Sequence, residues 1–355
     1  MPESLHQRIG LLAHRLRRSS TAWFLVGALV AVSALESRYG TGALRALWFG
    51  SFGSWYALTS GTLVRAVPLI LTGLGVAIAF RAGVFNIGAD GQLLVGAAAA
   101  TFFSLRWGTS LNVLALPVAL AVGTAAGAFW AGVAAFMRTR FGVLEVITTL
   151  MLNFVATDVV SYLVRGPLQE PLHIYPQSSR IPLVARLPHF GPVTRLHWGI
   201  VLALVLVAGA AWALPRTATG FRLRAVGANP DAARVTGRIS VSRVTTQAFL
   251  ISGALAGLAG AIEVTAVTYA LYDNLSPGYG FTAIAVAILA DLRPAAVLPS
   301  ALLFAGLETG AVAMQRDAGV PAAWASVVEA GLILVVVAAL ALRQRERAAA
   351  SAPDA

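Results

Sequence analysis

Five stretches of this chain, 21–35, 66–80, 93–105, 113–137 and 200–214, carry no charged residue at all. A helix needs roughly 20 predominantly apolar residues to cross the hydrocarbon core of a bilayer, and neutral flanks extend most of these runs to that length. Only 12% of the 355 residues are charged, against 58% hydrophobic. A soluble domain carries about 25% charged residues, so much of this surface must face lipid. The expected fold is an all-α polytopic membrane protein. Backbone groups exposed to lipid must satisfy one another, and a helix does so within one segment.

Ten spans are expected, at 20–35, 61–80, 84–104, 112–136, 143–164, 198–214, 244–271, 280–290, 295–314 and 322–342. The transmembrane domain is then 20–342, with cytoplasmic tails at 1–19 and 343–355. The first span should remain as an anchor, because Glu36-Ser-Arg38 follows it in place of a small-residue cleavage site. With the N-terminus inside, the cytoplasmic segments hold 17 of the 26 basic residues. Inner loops carry that excess. The same frame puts the Pro-, Ser- and His-containing loop 165–197 outside and the basic loop 215–243 inside. The net charge of +11 is thus explained by topology and does not call for nucleic acid.

All 26 basic residues are arginine. A phosphate-binding loop of the Walker type needs a lysine, so any ATP must be bound by another subunit. There is no cysteine. The histidines, His6, His14, His173, His189 and His197, fall in tails, loops or a span edge. Neither a metal site nor an intramembrane hydrolase has its ligands or base. No enzyme activity and no cofactor is expected.

Polarity inside the apolar region marks the candidate site. The stretch 80–92 puts three glycines with Asn86, Asp90 and Gln92 between two spans. Such backbone must be packed in protein or line a wet cavity. It is either a tight cytoplasmic turn or the start of a broken or re-entrant helix beside a pathway. Residues 274–281, with Pro277, Gly278, Tyr279 and Gly280, interrupt an apolar run in the second half. Paired interruptions point to a repeat-built transporter with a central site. In the fifth span Glu145, Thr149, Leu152 and Ala156 lie near one stripe, with Thr148 and Asn153 beside it. Glu145 is open between a pathway role and a place at the positive end of its helix. Asn153 lies about 12 Å deeper, where an interhelical bond or the pathway would claim it. Gly253, Ala256, Gly257 and Gly260 share a face suited to close helix packing. Glu263, Glu308 and Glu329 are acids within spans whose role stays open; with Glu145 and Asp158 they would serve an ion-coupled secondary transporter, the competing reading.

In the loop 215–243, Asn229 suits an N-cap, Pro230 the first helical position, Asp231 the helix dipole and Gly237 the stop. A short helix is expected at about 230–236. It would either lie along the surface as a connector or present Ala232, Ala233 and Val235 to a cytoplasmic ATPase, with Arg234 and Arg238 at the rim.

These residues carry a resemblance. Phe85-Asn-Ile-Gly-Ala-Asp-Gly-Gln92 resembles the FNIGAEGQ motif of bacterial ABC permeases of the ribose, branched-chain amino acid and nucleoside type, with Asp90 for the usual Glu. The segments 145–153 (EVITTLMLN), 224–234 (RAVGANPDAAR) and 278–288 (GYGFTAIAVAI) resemble the subgroup paired with basic-membrane-protein-type nucleoside-binding lipoproteins; Ile288 replaces the usual final Leu. The resemblance runs from about 60 to 340. It implies an importer of a small molecule, a nucleoside or alternatively a sugar, in the bacterial plasma membrane. The implied partners are a second permease subunit in a heterodimer, a cytoplasmic ABC ATPase and an external binding lipoprotein. Substrate pathway or gate residues would be Asn86, Asp90, Gln92, Glu145, Thr149, Asn153 and Tyr279. ATPase coupling would fall to Asn229, Asp231, Ala232, Ala233, Arg234 and Gly237.

Overall fold

Helices of the expected kind dominate the computed structural model, which describes residues 40–331 apart from 236, 322, 325, 328 and 329. Two compact units divide these residues. The larger is 59–305; the smaller comprises 40–58 and the described residues from 306 onward.

The larger unit opens with a π turn, Ala57–Thr62, whose first two residues lie in the other unit, and runs into α2, Leu63–Arg81. There follow α3, Ala89–Leu111; α4, Ala115–Phe141; α5, Glu145–Arg165; and α6, Gly199–Arg216. Two short helices, α7 (Ala218–Ala228) and α8 (Pro230–Val235), lead to α9 (Val241–Ile262), which ends in a second π turn, Glu263–Thr268. α10, Tyr279–Leu289, closes the unit with the start of α11, Pro294–Ala318. In the smaller unit α1, Thr41–Ser51, packs Ala43 and Ala46 with Ala311 and Met314 of α11.

Six helical segments of the described residues are long and apolar enough to cross a membrane, so the chain is a multi-pass, all-α membrane protein. The count of ten is not reached. The expected first span, 20–35, lies outside the described residues, as does most of 322–342. One of the six, Ala89–Phe141, holds two expected spans as α3 and α4, separated by a short 3-10 turn. The expected span 280–290 is corrected more sharply. α10 has 11 residues, about 16 Å at 1.5 Å per residue, or half the hydrocarbon thickness. It is bounded by Gly278 (φ +100°) before it and by Asp291 and Leu292, both in left-handed conformation, after it.

Small residues hold the centre together. A Cβ on Gly253 would strike the carbonyl of Gly127, and one on Gly257 would lie 2.8 Å from the Gly127 Cα. A Cβ on Gly96 would collide with Gly257 itself. The backbones of α3, α4 and α9 therefore touch at this seam. Lipid gives no hydrophobic reason for helices to associate, so dispersion between closely approaching backbones does the work. α4, α5 and α6 turn large side chains such as Phe129, Phe154 and Trp212 outward, as helices facing lipid do.

The loop 165–197 is ordered against the end of α9. Leu187 N–H donates to Thr265 O (2.9 Å), Ile181 N–H to Tyr269 O (2.8 Å) and Ser178 N–H to Leu271 O (2.8 Å). Carbonyls released where α9 unwinds are satisfied in this way.

Candidate functional site: two joined helix breaks

The chain leaves α2 at Arg81 and makes a tight turn through Gly83 (φ +73°) before α3 starts at Ala89. Asn86 is fully buried in this break. Its Nδ2 donates to Gln92 Oε1 and to Ser252 Oγ of α9, each at 2.9 Å. Its Oδ1 accepts from Gln92 Nε2 (2.9 Å) and from Gly88 N–H (3.0 Å). The two amides thus form a reciprocal pair, which explains why two neutral polar side chains can stay buried.

α5 pins the same break from the other side. Asn153 Oδ1 accepts from Gly91 N–H (2.8 Å) and its Nδ2 donates to Ile87 O (2.9 Å). Thr149 Oγ1 accepts from Ile87 N–H (3.2 Å) while donating to Glu145 O. Two side chains four residues apart, on one stripe, replace the backbone partners that an uninterrupted helix would have supplied.

Asp90 joins the first break to the second. Its Oδ1 accepts from Gly280 N–H and from Ser276 Oγ, both at 2.8 Å. Ser276 Oγ in turn accepts from Gly278 N–H (3.2 Å) and Tyr279 N–H (3.0 Å). The first turn of α10 is therefore capped by a serine of its own segment and a carboxylate from the other half of the chain, where negative charge suits the helix dipole. Gly280 is required sterically, since a Cβ there would overlap the backbone of Asp90. Tyr279 is buried beside it.

Glu145 stands apart from this network. It forms an ion pair with Arg138 across the α4–α5 turn, in the first turn of its helix. Asp158 is exposed on α5, Glu308 is half-buried in the smaller unit, and Glu329 lies outside the described residues. Sequence reasoning missed Ser252 and Ser276 as members. Ser276 had a readable signal, a hydroxyl three residues before a helix start. Ser252 had none beyond its place in a glycine-rich face.

A model of the family described as "branched-chain amino acid transport system / permease component" matches residues 58–337. The chain belongs to this permease family. Among curated relatives, the glucose ABC transporter permease TsgB13 of Haloferax volcanii is 37% identical over 90% of this chain and 89% of its own length. The guanosine ABC transporter permease NupP of Bacillus subtilis is 38% identical over 84% and 86%, respectively. The nucleoside ABC transporter permease NupB of Lactococcus lactis is 32% identical over 78% of each. No solved structure matches.

The permease also carries the expected short helix. α8 runs Pro230–Val235, and Asn229 Oδ1 accepts from Asp231 N–H and Ala232 N–H, each at 3.0 Å. Arg234 pairs with Asp231 at 3.2 Å, and Gly237 (φ +66°) follows. α7, in a segment expected to be loop, extends the helical structure back to Ala218. Between α7 and α8 lies a cleft of about 940 Å3, bordered by Phe221, Arg222, Asn229, Ala232 and Arg238. One expectation needs correction. Ala233 is only 5% exposed and turns toward the permease itself, whereas Val235 is 87% exposed. A six-residue helix lying on its own chain buries one residue per turn, and here that residue is Ala233.

At the opposite end of α9, Glu263 is buried in the π turn, within the electrostatic reach of Arg65 and Arg195. π turns recur at functional sites. The neighbouring His197 is fully buried ahead of α6, and its Nδ1 accepts from Gly199 N–H (3.2 Å). Burial, reinforced by His189 and Arg195, pushes the imidazole down to about 4, so it is neutral at pH 7.

Proposed function

We propose that this permease is the membrane-spanning subunit of an ATP-driven importer of nucleosides in a bacterial plasma membrane. The observation that carries this reading is its likeness, over most of its length, to permeases named for guanosine and for nucleosides. In this reading an external lipoprotein delivers the substrate, a second permease completes a heterodimer, and a cytoplasmic ABC ATPase supplies the force. The ATPase seats at α8, through Ala232, Arg234 and Val235, with Asn229, Asp231, Ala233 and Gly237 fixing the helix. A glucose-type substrate is the second reading, favoured by the haloarchaeal relative.

The joined breaks form the gate region of this proposal. Asn86, Asp90, Gln92, Thr149 and Asn153 hold its shape, Tyr279 stands at its second half, and Glu145 at its inner edge. Support comes from length: a stretch at 269–278 followed by the half-helix α10 can together cover about 30 Å. α9 then crosses the bilayer outward, and the stretch 269–278 with α10 crosses back as one broken span. Both termini and 215–243 lie inside and 165–197 outside, as the arginine distribution supports.

Uptake of labelled guanosine and labelled glucose, measured in cells with and without this gene, tests the substrate. Guanosine uptake that disappears with the gene is the expected result; loss of glucose uptake alone would replace the first reading by the second. Reporter fusions at Pro176 and at Arg222 should report opposite sides of the membrane, and the same side for both would overturn the topology.

A further inference from the structure

α6 turns one stripe inward at helical spacing: Ala203, Val207, Ala210 and Leu214. Ala203, Val207 and Leu214 are buried, yet Ala210 between them is only half-buried. At that point the wall formed by α2 and α9 stands back and leaves a groove of about 600 Å3. Leu74 and Ile78 of α2, Ile251, Leu255 and Leu258 of α9, and Val205 of α6 line it. The groove lies within segments that read as membrane spans. Water does not fill an apolar cavity, and an empty one forfeits dispersion contacts along its whole lining. The occupant must be apolar and must come from the membrane side, since Val205 is 60% exposed there.

The far end of the groove has a different chemistry. Thr217, Thr219 and Gly220 line it where α6 gives way to α7. Arg224 is drawn to this end: its Nε lies 3.4 Å from Gly220 O and its Nη2 3.5 Å from Pro215 O. Arg216, exposed in the last turn of α6, stands at the same junction. Among the described residues no acidic side chain lines the groove. An apolar slot whose end lies beside the Arg224 guanidinium, with the exposed Arg216 in the adjoining helix turn, matches an acyl chain ending at a phosphate.

We propose that this groove binds an anionic phospholipid, one acyl chain lying between α6 and the α2–α9 wall and the phosphate held by Arg216 and Arg224. Lipid here would complete the packing of α6, which rests chiefly on α2 among the spans.

The test uses the assembled transporter, purified in detergent and in nanodiscs of mixed phosphatidylglycerol and phosphatidylcholine. A photoreactive residue at Val205 should cross-link to lipid. Native mass spectrometry should show retained phosphatidylglycerol, and a double Arg216→Gln, Arg224→Gln variant should lose the preference for it by about tenfold or more. Ala210→Trp, which fills the slot, should lose the bound lipid. If that variant fails to fold, the cross-link still decides, because a substitution at the exposed Val205 leaves the packing and the backbone bonds of Arg224 intact. A cross-link from Val205 to a partner subunit or to residues 1–39 would overturn the proposal, and so would unchanged lipid retention in the arginine variant.

Discussion

The carboxylate of Asp90 accepts the backbone N–H of Gly280 at 2.8 Å, across 190 positions of sequence. This one bond ties the first interruption of the permease to the second. Because Ser276 donates to the same oxygen, the cap on α10 depends on a group that α10 and its flanks do not contain. The two halves cannot part here without exposing the N-terminus of a helix that starts among buried residues.

Asp90→Ala removes this cap and leaves the Gly280 N–H unsatisfied. A loss of about 1–3 kcal/mol is expected, read as a lower unfolding temperature of the purified permease. Asp90→Asn keeps an acceptor oxygen and should cost less. Gly280→Ala places a methyl on the Asp90 backbone and should be at least as damaging as Asp90→Ala. Equal stability of Asp90→Ala and wild type would show that the bond is incidental.

Asn86→Leu and Gln92→Leu each strand half of a buried amide pair. Each should reduce uptake and cost on the order of 1–3 kcal/mol, with the chain still inserted. The double substitution should cost clearly less than the sum of the two, because the second change removes a group already left unpaired. Additive losses would mean that the amides do not act as a pair.

Val235→Glu tests the contact proposed for α8 without touching its packing, since Val235 projects from the helix. The ATPase should co-purify less and uptake should fall, while the unfolding temperature stays within about 1 °C, as expected for surface changes. Ala233→Glu, by contrast, buries a charge and should lower the unfolding temperature as well. Undiminished co-purification with Val235→Glu would move the contact elsewhere.

His197 predicts the acid sensitivity of the permease. Its folded value, about 4, lies below the ordinary value near 6.5. The unfolded chain therefore binds more protons between these values, and stability falls as pH drops from 6.5 toward 4. The total loss is about 3 kcal/mol, with no further change from this group below pH 4. His197→Gln should flatten that part of the stability profile. An unaltered slope would assign the acid sensitivity to other groups.

Much of this architecture was legible because it follows from what a bilayer forbids. Uncharged runs give the long helices, and polar residues between them give the breaks. Asn229-Pro230-Asp231 spelled out the cap of α8, and the structure places its hydrogen bonds accordingly. The shortness of α10 was less visible, because 279–290 is as apolar as a spanning helix and only its two bounding turns limit it. The long-range bonds of Asn86 and Asp90 were not legible. Hydrogen bonds to Ser252 and Ser276 depend on tertiary proximity across more than 160 residues, and no local pattern encodes it. Ala233 misled for a related reason: a six-residue helix is too short for its periodicity to show which side faces the protein.

The glycine seam has a mechanical consequence. Gly96, Gly127, Gly253 and Gly257 leave no side-chain layer between α3, α4 and α9, so nothing soft separates them. Rotating one past another would drive main chain into main chain, with no rotamer to yield. These three helices are expected to behave as one rigid body. Any rearrangement of the permease is then expected at elements separated by deformable side chains, such as α6, and not at the start of α10, where Gly280 meets the main chain of Asp90.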